Sequence, residues 1–355
     1  MVKPSIAIIA LLGILFGGSQ AQAAEPAVRN LALLVAAEAG DAAAVGSMLD
    51  AGADINAQRL EGFTPLSIAA MVGNVEVVRL LIERRADVNA LSRNAPTTAL
   101  IAAAAGGQAE AVRLLIAGGA NVGVKDNFER TALHYAAGYR SIVTARTMVA
   151  ALEKRPVVKP KPAHYLETIQ VLLDAGAQVN AIARDGMTPL HWASSQDSGR
   201  LAVVRLLVSK GADVNAAAND GMTPLMHAAS ETEVLDLLIA HGANINARAT
   251  GGLTPLMLVV NNFSPRAPEI ARALLDRGAD LNARADDGRT ALTIVADRRF
   301  TNSQFAAQSV RLLIERGADV NAIDKAGLTA LQHAPDKCDN EIVVLLKKAG
   351  ATGRC

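Results

Sequence analysis

Residue types that carry enzyme chemistry are sparse in this chain and form no catalytic pattern. Six histidines are present, but the sequence has no His-Glu-x-x-His zinc motif, no Gly-x-Ser-x-Gly nucleophile turn and no Gly-x-x-x-x-Gly-Lys-Ser/Thr phosphate loop. Asp-Gly pairs recur at Asp185-Gly186, Asp220-Gly221 and Asp287-Gly288. They lack the alternating oxygen ligands and terminal glutamate of a calcium loop. We therefore assign these acids to turns and expect no catalytic residue, cofactor or metal.

The two cysteines, Cys338 and Cys355, lie close to the C-terminus. Two are too few for a four-cysteine zinc site or a disulfide-built scaffold. A helix predicted over 340–349 rises about 15 Å, and the residues after Gly350 can reach back about 16 Å if extended. A disulfide between them is therefore feasible and would contribute about 3 kcal/mol. Unpaired thiols and an intermolecular bond are the alternatives.

A basic segment, residues 139–164, is a second candidate for a functional site. We call it an insertion because it lengthens one of the repeated units described below. Its first part has helical apolar spacing up to Arg155, and Pro156, Pro160 and Pro162 then favour an extended stretch. Against Glu153 alone it carries Arg140, Arg146, Lys154, Arg155, Lys159 and Lys161. One interpretation is a docking edge for an acidic protein or an anionic envelope component. We favour the other, a surface insertion kept soluble by its charge.

Composition limits the remaining function classes. The chain has 35 Lys and Arg against 34 Asp and Glu, and a formal charge of +1 supplies no long-range attraction to nucleic acid. An apolar content of 51% excludes intrinsic disorder as the main state. Only 3% of residues are aromatic, and alanine is abundant, which predicts thin, closely spaced helices. A chain of 355 residues is long for one core, so several domains or a repeating architecture are expected.

The first 23 residues have the order of a secretory signal peptide. Lys3 precedes the apolar run 6–16, and Ala21-Gln22-Ala23 forms a small-x-small cleavage site. The run is too short to span a bilayer. We expect cleavage after Ala23 and a mature chain, residues 24–355, with no transmembrane anchor. The expected location is the periplasm, and secretion is the alternative.

Two short phrases repeat along the mature chain with a period of about 33 residues. The first, Gly-Ala-Asp/Asn-Val/Ile-Asn-Ala with small variations, begins at Gly52, Gly176, Gly211, Gly242, Gly278 and Gly317, with weaker copies at Arg85 and Gly119. The second, Thr-Pro-Leu or a degenerate form of it, begins at Thr64, Thr98, Thr131, Thr188, Thr223, Thr254, Thr290 and Thr329. Such regularity indicates one supersecondary unit used many times.

Each part of the repeat has a physical reason. Threonine suits an N-cap, because its hydroxyl accepts a helix-start amide, and proline suits the first helical position. Segments 75–83, 202–208 and 308–315 have apolar residues at helical spacing and so predict second helices. Glycine at the first phrase ends each second helix in left-handed geometry, and Asp-Gly forms a projecting tight turn. Such a unit buries its apolar faces only by stacking on its neighbours.

Both phrases and their period resemble the ankyrin repeat over nearly all of the mature chain. The resemblance implies an all-α solenoid of about nine helix-turn-helix repeats with β-turn fingers, in one domain over 24–355. It also implies that His134 and His191, in Thr-x-Leu-His phrases, hydrogen-bond a neighbouring repeat. His227 and His333 lie one position later and depart from that pattern.

Proteins similar to this one contact partners through the finger turns and the exposed ends of first helices. We call the residues just before the threonines the finger row: Phe63, Arg130, Met187, Met222, Leu253, Arg289 and Leu328. Met71 and Asp297 belong to the expected exposed ends of first helices. Five of the seven row residues are apolar, which favours a protein-binding groove. The alternative is that the row only packs finger against finger.

These observations predict a monomeric, non-enzymatic scaffold in the periplasm that binds a protein partner. A secreted effector that binds a host protein is one alternative. An enzyme with its site in the 139–164 insertion is the other.

Overall fold

Only helices and turns occur in the part of the chain that the structure, a computed structural model, describes: 26–59, 62–92, 97–138, 162–195, 200–228, 231–262, 264–297, 304–334 and 340–353. The signal-peptide region, the insertion up to residue 161 and both cysteines lie outside these residues. The chain divides into two compact units, residues 1–189 and 190–355. Among the described residues, no helix has both the length and the apolar character that a membrane crossing requires.

The first unit pairs short helices in sequence order. They are α1 (Pro26–Ala39), α2 (Ala42–Asp50), α3 (Pro65–Val72), α4 (Val75–Glu83), α5 (Ala99–Ala105), α6 (Ala109–Ala117), α7 (Ala132–Ala137) and α8 (Pro162–Asp174). First helices pack on first helices, since α3 contacts α5 and α5 contacts α7, while second helices α4, α6 and α8 contact one another in turn. This unit is therefore a two-layered stack of helix pairs.

The second unit repeats the arrangement. Its helices are α9 (Pro189–Ser194), α10 (Leu201–Ser209), α11 (Pro224–His227), α12 (Thr232–Ala240), α13 (Pro255–Asn261), α14 (Ala267–Asp276), α15 (Ala291–Val295), α16 (Gln304–Glu315), α17 (Ala330–His333) and α18 (Glu341–Lys348), with a 3-10 turn at Thr250–Gly252. Here α13, α15 and α17 form one layer and α14, α16 and α18 the other.

Threonine capping follows the prediction at Thr64 but not at every repeat. Thr64 Oγ1 accepts the Ser67 N–H at 3.1 Å, and Ser67 Oγ accepts the Thr64 N–H at 2.8 Å. This reciprocal pair is a capping box, and Pro65 occupies the first turn of α3. Thr223 lies at the N-cap of α11, yet its side chain accepts no helix-start amide. The predicted capping bond is absent there, and α11 has only four residues.

Glycine ends the second helices as predicted. Gly52, Gly211 and Gly317 have φ values of 87°, 86° and 88°. In the weaker phrase at 85–90, Arg85 takes the same left-handed geometry, with φ 63°. Since an L side chain rarely adopts this conformation, that one turn carries strain.

Small side chains set the spacing of the first-helix layer. Every residue of α5 is buried, and five of its seven are alanines. Second helices provide the bulky part of the core, such as Leu81 and Leu115, both fully buried. Low aromatic content thus matches a core made of thin helices against leucine-rich ones.

Several helix boundaries differ from the sequence prediction: α10 extends one residue beyond 202–208 at each end, and α18 is one residue shorter than 340–349 at each end. The helix predicted from residue 308 begins at Gln304. The expectation that Pro162 belongs to an extended stretch is wrong, because Pro162 begins α8. Proline lacks an amide proton, and the first turn of a helix is where that proton has no intrahelical partner.

The asparagine of the first phrase joins adjacent repeats, a role that its spacing did not predict. Asn56 Oδ1 accepts the Asp87 N–H at 3.0 Å in the first unit. Asn246 Oδ1 accepts the Asp280 N–H at 2.8 Å, and Asn282 Oδ1 accepts the next equivalent amide at 3.1 Å. Each bond satisfies a loop amide with a side chain fixed one repeat earlier.

Candidate protein-binding surface

The finger-row residues lie between core and solvent. Phe63, Met187, Met222 and Leu253 are half-buried, and Leu328 is 36% exposed. Met71, in the last turn of α3, is also half-buried. A half-buried apolar side chain is held by its own repeat and still presents surface to a partner.

Buried imidazoles hold the backbone of the two methionines. His134 Nε2 donates to the Met187 carbonyl at 3.1 Å, and His191 Nε2 donates to the Met222 carbonyl at 3.0 Å. His134 Nδ1 accepts the Thr131 N–H at 3.1 Å, which places the ring proton on Nε2. The predicted hydrogen bonds between neighbouring repeats are confirmed.

Burial decides the charge state of His134. Its side chain is fully buried, and this desolvation lowers the pKa of His134 to about 4, despite the opposing Met187 carbonyl and the negative charges of Asp185 and Asp126. At neutral pH the ring is neutral. It therefore acts as a fixed hydrogen-bonding bridge between neighbouring repeats.

Both arginines of the finger row are tied down by acids. Arg130 approaches Asp126 Oδ2 at 2.6 Å, and Arg289 Nε lies 2.6 Å from Asp287 Oδ2. Arg289 also lies 3.8 Å from Asp297. Asp297, expected at an exposed helix end, is only 8% exposed, so that expectation is wrong. The acid faces Arg289 instead of solvent.

In each of two repeats, an aspartate of the finger forms a hydrogen bond with a polar side chain of the first helix. Tyr135 Oη donates to Asp126 Oδ2 at 2.6 Å, and His333 Nε2 lies 2.7 Å from Asp324 Oδ2. Burial alone would raise the pKa of Asp324, but hydrogen bonds from the Leu328 amide, His333 and the Ala326 amide hold it below its usual value. His333, which departs from the family pattern, thus pairs with an aspartate of its own finger.

The acids of the Asp-Gly pairs form turns. Asp185, Asp220 and Asp287 each accept the backbone N–H two residues on, at 3.0 Å in all three fingers. Across the described ranges, no group of three or more histidine, cysteine, aspartate or glutamate side chains converges on a point where a metal ion would fit. In these three fingers the aspartate side chain therefore stabilises the turn.

A second surface lies on the opposite layer of the first unit. An open groove of about 520 Å³ runs between α6 and α8. Ile116 and Val171 supply apolar lining, and Arg113 crosses it with a 2.8 Å bond to Glu167. The groove is open to solvent and does not enclose a small molecule.

The other residues assigned from the sequence lie outside the described part of the chain. These are Arg140, Arg146, Lys154, Arg155, Lys159 and Lys161 of the basic insertion, with Cys338 and Cys355 of the predicted disulfide. Their assignments stay predictions.

Comparison with known protein families identifies the same repeat that the two phrases indicate. A family model described as ankyrin repeats in three copies matches residues 10–92, 33–126, 89–156, 162–218, 215–285 and 266–353. The chain belongs to the ankyrin repeat family. Ankyrin repeats are modules for protein–protein interaction, and proteins built from them are generally non-enzymatic scaffolds.

Curated relatives match over parts of their length. A probable E3 ubiquitin-protein ligase, XBOS31 of Oryza sativa, is 38% identical over 130 residues, which are 35% of this chain and 29% of the relative. The B-cell lymphoma 3 protein homolog of Mus musculus is 34% identical over 109 residues, 31% of this chain and 23% of the relative. This chain therefore spans less than a third of either relative.

A solved structure agrees with the fold. The ankyrin repeat domain of human ASB11 aligns with a TM-score of 0.55 and 24% identity, and the alignment covers 72% of this chain and 100% of that domain. At this identity the match shows the fold alone.

Proposed function

We propose that this chain is a non-enzymatic scaffold that binds a protein partner through the finger row and the adjoining ends of first helices. The observation that carries the proposal is how Met187 and Met222 are held at the surface. Their carbonyls accept hydrogen bonds from buried histidines, while their side chains stay half-exposed. A fixed backbone with an adaptable apolar side chain suits a binding surface, because little ordering is needed on association.

We also propose that the scaffold works in the periplasm. The support is the order of residues 1–23, with a basic start, a short apolar run and a small-x-small site. Cell fractionation with mass spectrometry of the mature N-terminus tests it. A chain that starts at Ala24 in the periplasmic fraction is the expected result, and an uncleaved cytoplasmic chain would contradict it.

Replacing methionine by glutamate tests the binding surface. Met187→Glu with Met222→Glu should weaken partner capture from an envelope fraction, as measured by affinity purification and quantitative mass spectrometry. The melting temperature should change little, since both side chains are half-exposed. Met226 is the matched control, because it is 3% exposed in the same repeat as Met222.

Met226→Glu should unfold the repeat, since a buried unpaired charge is strongly destabilising. If the Met187 and Met222 variant melts as low as the Met226 variant, the row belongs to the core and the proposed surface is wrong. Unchanged capture by a stable double variant would equally reject it.

A further inference from the structure

Helix α11 is short and is held together by shared hydrogen bonds. It has only four residues. The Thr223 carbonyl accepts both the Met226 N–H and the His227 N–H, at 3.0 and 3.3 Å. The Ala228 N–H is in turn shared between two carbonyls of the helix, at 3.1 and 3.2 Å. Because shared bonds of this kind are typical of helix ends, α11 has no regular interior.

The shortness of α11 has a cause in the sequence. Gly211 and Gly242 are 31 residues apart, which is two fewer than the usual period. From Gly211 to Thr223 the spacing is 12 residues, as it is from Gly52 to the threonine of its repeat. Helix α12 keeps nine residues, as α10 does. The missing residues are therefore taken from α11 and the link that follows it.

The threonine that precedes α11 is buried without a bond from its side chain. Thr223 is 5% exposed, and its Oγ1 has no hydrogen-bond partner among the described residues. In the repeat of α15, Thr290 Oγ1 accepts the Thr293 N–H at 3.4 Å, and Thr293 Oγ1 accepts the Thr290 N–H at 2.7 Å. Met226 stands at the position of Thr293, and its thioether cannot complete this capping box. A buried oxygen without a partner destabilises the conformation that buries it.

Length alone does not explain the weakness of α11. Helix α17 also has four residues, yet Gln332 Oε1 accepts the N–H of its N-cap threonine at 2.8 Å. His333 of the same helix lies 2.7 Å from Asp324 Oδ2. In the repeat of α11, Met226 stands at the position of Gln332 and Ala218 at that of Asp324. The side chains that brace α17 are therefore replaced by apolar ones.

The finger in front of α11 is held by bonds that do not involve this helix. The Met222 carbonyl accepts His191 Nε2 at 3.0 Å. The Asp220 carbonyl accepts both the N–H and the hydroxyl of Thr250 in the next finger, at 2.8 and 2.7 Å. Loss of helical structure in α11 would leave these three bonds in place.

We propose that α11 is a local-opening element, which unwinds in the folded protein while α13 and α15 stay helical. Opening releases the buried Thr223 hydroxyl to water and breaks only the shared bonds of one turn. It changes the chain directly after Met222, whose carbonyl His191 still holds. The finger row therefore borders a segment with two conformations, which can adjust to a partner. The inference goes beyond the proposed scaffold function, because the opening is a property of the protein without a partner.

Hydrogen–deuterium exchange of the full mature chain, read by mass spectrometry, tests the proposal. The amides compared are those of 226–228 in α11 and their equivalents, 293–295, in α15. After correction for intrinsic rates, the α11 amides should be less protected by about tenfold or more. Low concentrations of urea should speed exchange in α15 but change it little in α11, because a local opening exposes little surface.

Thr223→Val is the decisive variant, since it removes the unpaired oxygen and keeps the shape of the side chain. Protection of α11 should rise by about threefold or more, because the helical state no longer buries an oxygen without a partner. Thr290→Val is the matched control. The same change there removes a capping bond, so protection of α15 should fall by about fivefold.

Met226→His is a second variant, which restores the Thr-x-Leu-His phrase. As in the repeat of His134, Nδ1 can accept the threonine N–H and Nε2 can donate to the carbonyl of the next finger, here Leu253. Protection of α11 should rise by about tenfold. Met257→His makes the same change one repeat later and should leave exchange in α11 unchanged.

Equal protection of α11 and α15 would overturn the proposal. So would the same urea dependence in both helices, since they would then exchange through one common unfolding. Equal loss of protection in the two valine variants would show that Thr223 does form a capping bond, and this also rejects the proposal. If Met226→His lowers the melting temperature, the pair of valine variants decides. The envelope capture experiment judges the scaffold function independently.

Discussion

His134 donates a hydrogen bond from Nε2 to the carbonyl of Met187 at 3.1 Å, across 53 residues of sequence. The bond crosses from one repeat to the finger of the next. Because Nδ1 of the same ring accepts the Thr131 amide, the imidazole must be neutral to make both contacts. Protonation would turn an acceptor into a donor facing an N–H group.

Acid should therefore weaken the fold through His134. Burial lowers the pKa of His134 to about 4 from an ordinary 6.5, so between these values the unfolded chain binds a proton that the folded chain does not. The contribution is fully present above pH 6.5 and is lost as the pH falls toward 4. It amounts to about 3 kcal/mol.

His134→Gln measures that contribution. Gln332 occupies the same place in the last repeat, where its Oε1 accepts the Thr329 N–H at 2.8 Å. Urea midpoints followed by circular dichroism at neutral pH and near pH 4.5 should fall less in the variant than in wild type. Identical pH slopes in both proteins would show that His134 does not titrate in the expected window.

The contact between His333 and Asp324 should be strongly coupled. Two repeats that have alanine at the Asp324 position, Ala249 and Ala285, have Leu258 and Ile294 at the His333 position. Asp324→Ala alone and His333→Leu alone should each cost about 1–3 kcal/mol, since each leaves a half-buried polar group without its partner. The double variant restores the apolar pairing.

A double-mutant cycle by urea denaturation checks this coupling. The double variant should lose less stability than the sum of the single variants, by about 1 kcal/mol or more. Simple additivity would mean that the 2.7 Å contact contributes little to the unfolding free energy.

The sequence predicts most of the fold because the same capping residues, turn residues and apolar spacing recur in most repeats. Threonine, proline and glycine mark the first helices and the turns, and apolar residues at helical spacing predict segment 75–83 with the bounds that α4 has. Pro162 was misplaced because proline suits both an extended stretch and a first helical turn. The inward position of Asp297 depends on Arg289, eight residues earlier, which spacing alone does not report.

The candidate site was harder to predict than the fold. Position along the repeat indicates the finger row, but it does not show that imidazoles from the preceding repeats hold the Met187 and Met222 carbonyls. The exposed Phe128 is not predicted by the repeated phrases, because they contain what the repeats share and Phe128 departs from it. A comparison of fingertips would have found the signal, since Phe128-Glu129 stands where Asp-Gly recurs.

Arg85→Gly should stabilise the first unit. Arg85 has φ 63° at a position where Gly52 and Gly119 have φ 87° and 89°. Relief of left-handed strain outweighs the extra freedom of glycine in the unfolded chain, for a gain of about 0.5–1 kcal/mol. A higher urea midpoint is the expected result.

Arg84→Gly is the matched control for that variant. Arg84 has φ −83°, and its guanidinium lies 2.8 Å from Asp50. Glycine gains nothing in that geometry and loses the ion pair, so the midpoint should fall. Equal effects of the two substitutions would contradict the assignment of strain to residue 85.

The predicted link between Cys338 and Cys355 can be tested by mass. Alkylation of the denatured, unreduced protein should leave both residues unmodified, and alkylation after reduction should modify both. Closing a loop of this size constrains the unfolded chain, so reduction should lower the unfolding free energy by about 3 kcal/mol. Cys355→Ser should melt like the reduced protein and be insensitive to reductant. If both thiols react before reduction, the disulfide does not form, and the last repeat is held by contacts such as that of Asn321 Oδ1 with the Thr352 amide at 2.9 Å.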